Sequence, residues 1–168
     1  MSQETKTHYR KAFNSPYLSS ADIVGDTVLT IEKVSLESDQ TKKTKDNFNT
    51  AYFVEKEIRT GEVLKPMILN ATNSKMLASI TGTPYINDWR NIRITVYVDH
   101  NVKMMGSTVE GLRLRPAPER KKITPENKGL WKNAKNAYLR DGNFDAVLAR
   151  ADISQENQLL IIRECADV

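Results

Sequence analysis

From Ile92 the chain alternates apolar and polar residues, with Ile92, Ile94, Val96 and Val98 set against Arg93, Thr95 and Tyr97. Side chains on a strand point to opposite faces in turn, so this alternation predicts a half-buried strand over residues 92–98. One face is an aliphatic row suited to a core. The other carries a cation, a hydroxyl and an aromatic ring.

The same period recurs upstream. Leu29 and Ile31 keep it in one phase, and Val34 and Leu36 keep it in the opposite phase. A one-residue slip near Glu32-Lys33 is what a β-bulge produces, so residues 27–36 are expected as one long, bent strand. The wholly polar run 37–47 reads as a loop, and Ala51–Glu57 as a second strand. Arg59-Thr60-Gly61-Glu62 turns the chain into a third strand, Val63–Leu69, whose Pro66 lacks a ladder donor and belongs at an edge. Residues 70–80 read as a short helix capped by Thr72 or Asn73, with Met76, Leu77 and Ile80 on its apolar face and Gly82 as its stop. After the strand at 92–98, residues 99–107 are expected as a loop and Thr108–Arg115 as a fifth strand with Leu112 and Leu114 inward.

Past a proline-rich, charged segment at 117–123 the period changes to 3.6. Pro125 fits the first position of a helix, and Leu130, Trp131, Ala134, Ala137 and Tyr138 fall on one stripe. Gly142 ends that helix and Asn143 caps a second, over 144–151, with Val147 and Leu148 inward. Ser154 caps a third, which carries Leu159, Leu160, Ile161 and Ile162. The expected organisation is an arm at 1–20 docked by Phe13, Tyr17 and Leu18, a β domain at 21–116, a linker at 117–123 and a three-helix unit at 124–168. Such a unit is marginal alone.

The β domain orders its elements strand, strand, strand, helix, strand, strand. That is the order of an OB-fold, a five-stranded barrel that binds oligonucleotides on strands two and three and through its 1–2 and 4–5 loops. The fold class expected is therefore mainly β with a helical appendage: a five-stranded OB-like barrel, then three helices. In that reading the 1–2 loop is 37–47, with Lys42, Lys43 and Lys45. The 4–5 loop is 99–107, with His100, Lys103, Met104 and Met105.

Three segments carry a resemblance. Lys65-Pro66-Met67-Ile68-Leu69-Asn70-Ala71-Thr72-Asn73-Ser74-Lys75, the run from Asp88-Trp89-Arg90-Asn91-Ile92 to Val98, and Val109-Glu110-Gly111-Leu112-Arg113-Leu114-Arg115-Pro116 resemble a group of small proteins encoded by bacteriophages and prophages, many among replication or recombination genes. The resemblance covers roughly residues 13–118. It implies the fold and a role in DNA metabolism, and names no activity.

Charge and chemistry change the picture modestly. Residues 1–122 hold 19 Lys/Arg against 14 Asp/Glu (+5) and residues 123–168 hold 6 against 7 (−1), which together give the net +4. A mildly basic body favours an acidic partner such as nucleic acid. Single-strand binders pair a cationic groove with aromatic faces for base stacking. The stacking candidates are Tyr52, Phe53, Tyr97 and Trp89; the phosphate candidates are Lys42, Lys43, Lys45, Arg59, Arg90, Arg93, Lys103, Arg113 and Arg115. Phe53 and Trp89 are more often core residues, and outward arginines often pair with glutamates such as Glu32, Glu55 and Glu57.

No catalytic or cofactor signature is present. His8 and His100 lack neighbours at metal-ligand spacing. There is neither a GxGxxG nor a GxxxxGK[ST] run, and the aspartates Asp22, Asp26, Asp88 and Asp99 sit where turns favour them anyway. A single cysteine, Cys165, and a polar N-terminus lead to an expected cytoplasmic location, which the resemblance implies is that of a bacterial host cell; no cofactor, metal or membrane is expected. The leading expectation is a non-catalytic, sequence-independent single-stranded DNA-binding protein of phage replication or recombination. The alternative is a protein-binding module that inhibits a host nuclease or defence complex, or partners a phage recombinase. A homo-oligomer is admitted, because single-strand binders are often oligomeric.

Overall fold

The first strand bends where its apolar phase changes. In the computed structural model, which describes residues 7–13, 15–43 and 45–167, strand β1 runs over Thr27–Ser38 and its register slips between Ile31 and Lys33. Leu29, Ile31 and Val34 are buried, but Leu36 is exposed, so the inward phase stops one turn of the pleat short of expectation. The chain divides into two compact units, Met1–Ala117 and Pro118–Val168.

In the first unit β2 (Asn47–Phe53) pairs with β1 and begins four residues before the position expected from apolar content. The expected third strand breaks in two. β3 (Glu57–Arg59) and β4 (Glu62–Val63) form a separate small hairpin, and β5 (Met67–Leu69) returns to pair with β2. Pro66 stands just ahead of β5, which is an edge strand of the main sheet. Helix α1 (Ala71–Thr81) follows. Its cap is Asn70, not Thr72 or Asn73: the Asn70 side-chain oxygen accepts from the Asn73 N–H at 2.9 Å. Gly82 ends it in the left-handed conformation at φ 73°.

Strand β6 (Ile92–Met104) and strand β7 (Ser107–Pro116) complete a five-stranded antiparallel sheet in the order β5-β2-β1-β6-β7. Residues 99–104, expected as loop, are strand. Asp99 and residues 102–104 pair across the hairpin, and at the bulge between them the Asn101 N–H donates to the Asp99 carboxylate, so this stretch needs no apolar pattern to be extended. The sheet does not close: its edges are β5 and β7, and the barrel expected from the element order is not formed. Helix α1 packs against both edges instead. Asn73 is buried and its Nδ2 donates to the Leu112 carbonyl of β7 at 3.0 Å, while Ser74 accepts from Asn49 of β2 at 3.1 Å.

The core lies on one face of this sheet. It joins Leu29, Ile31, Ala51, Phe53, Met67, Leu69, Leu77, Trp89, Ile94, Val96 and Leu114. Leu18 belongs to it, and Tyr17 is buried beside Gln40, whose N–H it accepts at 3.0 Å. Phe13, the third residue expected to dock the arm, is exposed.

The second unit contains α2 (Lys128–Asp141), α3 (Asp145–Leu148) and α4 (Gln155–Ala166). Asn127, and not the residue before Pro125, caps α2; Gly142 ends it at φ 71° and Ser154 caps α4. Trp131, Ala134, Phe144, Val147, Ile153 and Ile161 form its core, with Cys165 packed against it. Leu148, expected inward, is exposed, and so is Leu159 of α4. The 117–123 segment, expected as a linker, is largely built into this unit: Ile123 is buried, and Arg120 donates to the carbonyls of Leu148 and Ala151. Among the described residues no helix is long and apolar enough to cross a membrane.

Candidate nucleic-acid interface

Residues directly opposite on paired strands share a face. With Leu29–Ile94, Val34–Ala51 and Val96–Leu114 facing the core, the register assigns the pairs Lys33–Tyr52, Ser35–Thr50, Glu37–Phe48, Thr30–Arg93, Thr95–Arg115 and Tyr97–Arg113 to the other face. That face carries three cation–aromatic pairs. The Lys42 ammonium is 5.2 Å from the centre of the Phe48 ring, and that of Lys33 is 5.1 Å from Tyr52. The Arg115 guanidinium is 4.8 Å from Tyr97. All three fall within the range of an attractive cation–π contact.

The pairs are positioned by ordinary strand geometry. Phe48 and Tyr52 are four residues apart on β2, so their rings project from the same face about 13 Å apart. Lys33 lies directly opposite Tyr52 because the bulge resets the register of β1 there. The bulge is braced by Glu55, whose carboxylate oxygens accept from the Thr30 N–H at 3.0 and 2.9 Å. Tyr52 donates its hydroxyl to Glu37 at 2.7 Å, and that hydrogen bond, with partial burial, pushes its phenol up to about 12.

Acidic residues temper the cations. Asp39 lies 3.9 Å from Lys42, and hydrogen bonds from Thr41 hold its carboxyl below the usual range. Asp26 pairs with Arg115, and Asp99 is 3.9 Å from the Arg113 Nε. Arg93, between these groups on β6, is half-buried and among the described residues has no carboxylate within ion-pair distance.

The sequence-expected residues therefore separate. Tyr52, Arg93, Tyr97, Arg113 and Arg115 share one sheet face, with Lys42, Lys43 and Lys45 exposed in the β1–β2 connection beside it. Arg59 is elsewhere: it is bound to Glu62 at 2.7 Å and to the Asp22 carbonyl at 3.0 Å, tying the β3–β4 hairpin to residues 20–22. Arg90 is exposed ahead of β6, and Lys103 donates to Thr108 at 3.0 Å across the β6–β7 hairpin. Phe53 and Trp89 are core, and Trp89 donates its indole N–H to the Thr83 carbonyl. Lys33 and Phe48 are additions. The alternation Phe48-x-Thr50-x-Tyr52 held the signal for Phe48, but it lies in the stretch where polar residues masked the start of β2.

Each of the four aspartates has a hydrogen-bond partner, local for all but Asp26. Asp22 accepts from Ser19, Asp88 from Thr83 and Asp99 from the Asn101 N–H, and Asp26 is held by Arg115. Among the described residues no group of three or more His, Cys, Asp or Glu side chains is arranged to hold a metal ion. Comparison of the chain with protein-family models, curated proteins and solved structures finds no match.

Proposed function

We propose that the chain is a non-catalytic, sequence-independent single-stranded DNA-binding protein that lays the strand across the outer face of its five-stranded sheet. The observation that carries this reading is the set of three cation–aromatic pairs on that one face. An aromatic ring offers a surface on which any base stacks, worth about 1–3 kcal/mol per base, and an adjacent ammonium or guanidinium offers a partner for the phosphate. In the free protein each cation rests on the ring; on binding it moves to a phosphate and yields the ring to a base.

The strand order supports an OB-type reading as well. Neighbours β5-β2-β1-β6-β7 follow the sequence of an OB barrel opened between its third and fifth strands, with α1 across the gap. The β1–β2 connection with Lys42, Lys43 and Lys45 then corresponds to the loop with which such folds grip a strand. The place of the protein in phage replication or recombination rests on the sequence resemblance alone. No bidentate base contact is built into the face, so binding is backbone-driven and falls as salt rises. Fluorescence polarisation of labelled oligo-dT across a salt series tests this: a steady loss of affinity with salt supports it, and no binding at low salt refutes it.

A further inference from the structure

The hairpin of β6 and β7 outgrows the sheet. Pairing of β6 with β1 covers Ile92–Val96, whereas pairing with β7 continues to Met104–Ser107. From Tyr97 onward the two strands form a ribbon on the order of 25 Å long. Its base is braced by Asn73 on Leu112 and by His8 near Glu110. Toward the tip, Val102–Val109, Lys103–Thr108 and Met104–Ser107 are paired with each other.

Residues 107, 109, 111, 113 and 115 of β7 alternate onto the face that carries Arg113 and Arg115. Their partners Met104, Val102 and Asp99 share that face, so beyond Asp99 the cationic and aromatic band passes into an apolar strip of Val102, Val109 and Met104 toward the tip. Gly111 permits this arrangement: a Cβ there would lie 3.0 Å from Val102 Cγ2. The strip ends in a two-residue turn, Met105-Gly106, with φ 48° and 80°. Two positive φ values are the requirement of the I′ hairpin turn, which favours Asn, Asp or Gly at its first central position. The chain instead places a methionine there, 99% exposed, next to a Met104 that is 59% exposed. A position that departs from local turn chemistry to present apolar surface to water points to use of that surface.

We infer that the Met104-Met105 tip is a wedge that inserts between bases at the junction of single- and double-stranded DNA. This rests on the single-strand reading above and extends it: the sheet face holds the strand, and the ribbon reaches the duplex from which it emerges. Continuity with the cationic face selects nucleic acid as the partner, and apolar side chains that enter a base step displace stacking at that step.

The test uses the full chain and a short duplex with an oligo-dT tail, labelled with a fluorophore and quencher at the junction. The variant Met104→Ser/Met105→Asn removes the apolar tip while giving the turn a residue it favours, and its thermal melt verifies folding. Wild type opens the junction; the variant loses about tenfold in opening while its affinity for oligo-dT changes by less than about twofold. Equal opening by the variant overturns the wedge. So does a wild type that binds the tail yet leaves the junction closed, which spares the single-strand reading. Failure to bind the tail sinks both. Sedimentation with anionic phospholipid vesicles that depends on the tip, without junction opening, assigns the methionines to a lipid surface and also overturns the wedge.

Discussion

Lys33 holds its ammonium 5.1 Å from the centre of the Tyr52 ring while the ring's hydroxyl is fixed on Glu37 at 2.7 Å. The ring is thus anchored at its edge and covered by a group that can leave. Tyr52→Ala is expected to weaken oligo-dT binding by about 1–3 kcal/mol, the worth of one stacked base. Tyr52→Phe keeps the ring and most of the affinity. An abasic oligonucleotide of equal length has no base to stack, so Tyr52→Ala should bind it as wild type does. Polarisation titrations on the two oligonucleotides separate these outcomes.

Asn73 ties α1 to the open edge of the sheet through the Leu112 carbonyl. Its Nδ2 satisfies a strand acceptor, and its own buried Oδ1 is without a partner among the described residues. Asn73→Ala leaves the Leu112 carbonyl unpaired and is expected to cost about 1–2 kcal/mol of stability. Urea unfolding measures this, and oligo-dT affinity should not follow it.

Glu62 accepts from Arg59 at 2.7 Å and from Lys11 at 2.8 Å, and these two cations, Arg59 foremost, lower its carboxyl from 4.5 to about 2. A carboxylate whose folded value is depressed adds stability above the unfolded value and loses it as pH falls toward the folded one. The Glu62 contribution is therefore complete above about pH 5 and disappears between there and pH 2. Stability curves against pH should lose part of their acid limb in Glu62→Gln.

Ile161 is fully buried in the core of the second unit, beside Trp131, whose indole N–H donates to Glu164 at 3.0 Å. Truncation of such a side chain removes about 2–5 kcal/mol. Ile161→Ala should accelerate amide hydrogen exchange across residues 128–166, most in α2 and α4.

The sequence made the apolar half of this fold readable. Ile92–Val98 alternates because one face is core, and the phase change at Glu32-Lys33 marks the bulge that the register shows. What it concealed is backbone pairing without apolar demand. Residues 47–50 and most of 99–104 are strand because a neighbouring strand satisfies their hydrogen bonds, and their mostly polar side chains form no apolar row that would announce it. The closure of a barrel is equally silent in an element order: α1 lies where β5 and β7 would have had to meet. At the candidate site, Tyr52, Tyr97 and Arg115 were legible as outward residues of recognisable strands. Lys33 was not, because its place opposite Tyr52 depends on the slip of a single residue. Arg59 carried the right charge but is consumed by Glu62 and the Asp22 carbonyl.

The most direct measurement is a titration of labelled oligo-dT with wild type and with Lys42/Lys43/Lys45→Glu, each over a salt series. Wild type should bind at low salt with an affinity that falls as salt rises. The variant, which turns the rim of the aromatic face from cationic to anionic, should bind far more weakly and with a shallower salt slope. Wild type that does not bind at low salt, or a variant indistinguishable from it, contradicts the account.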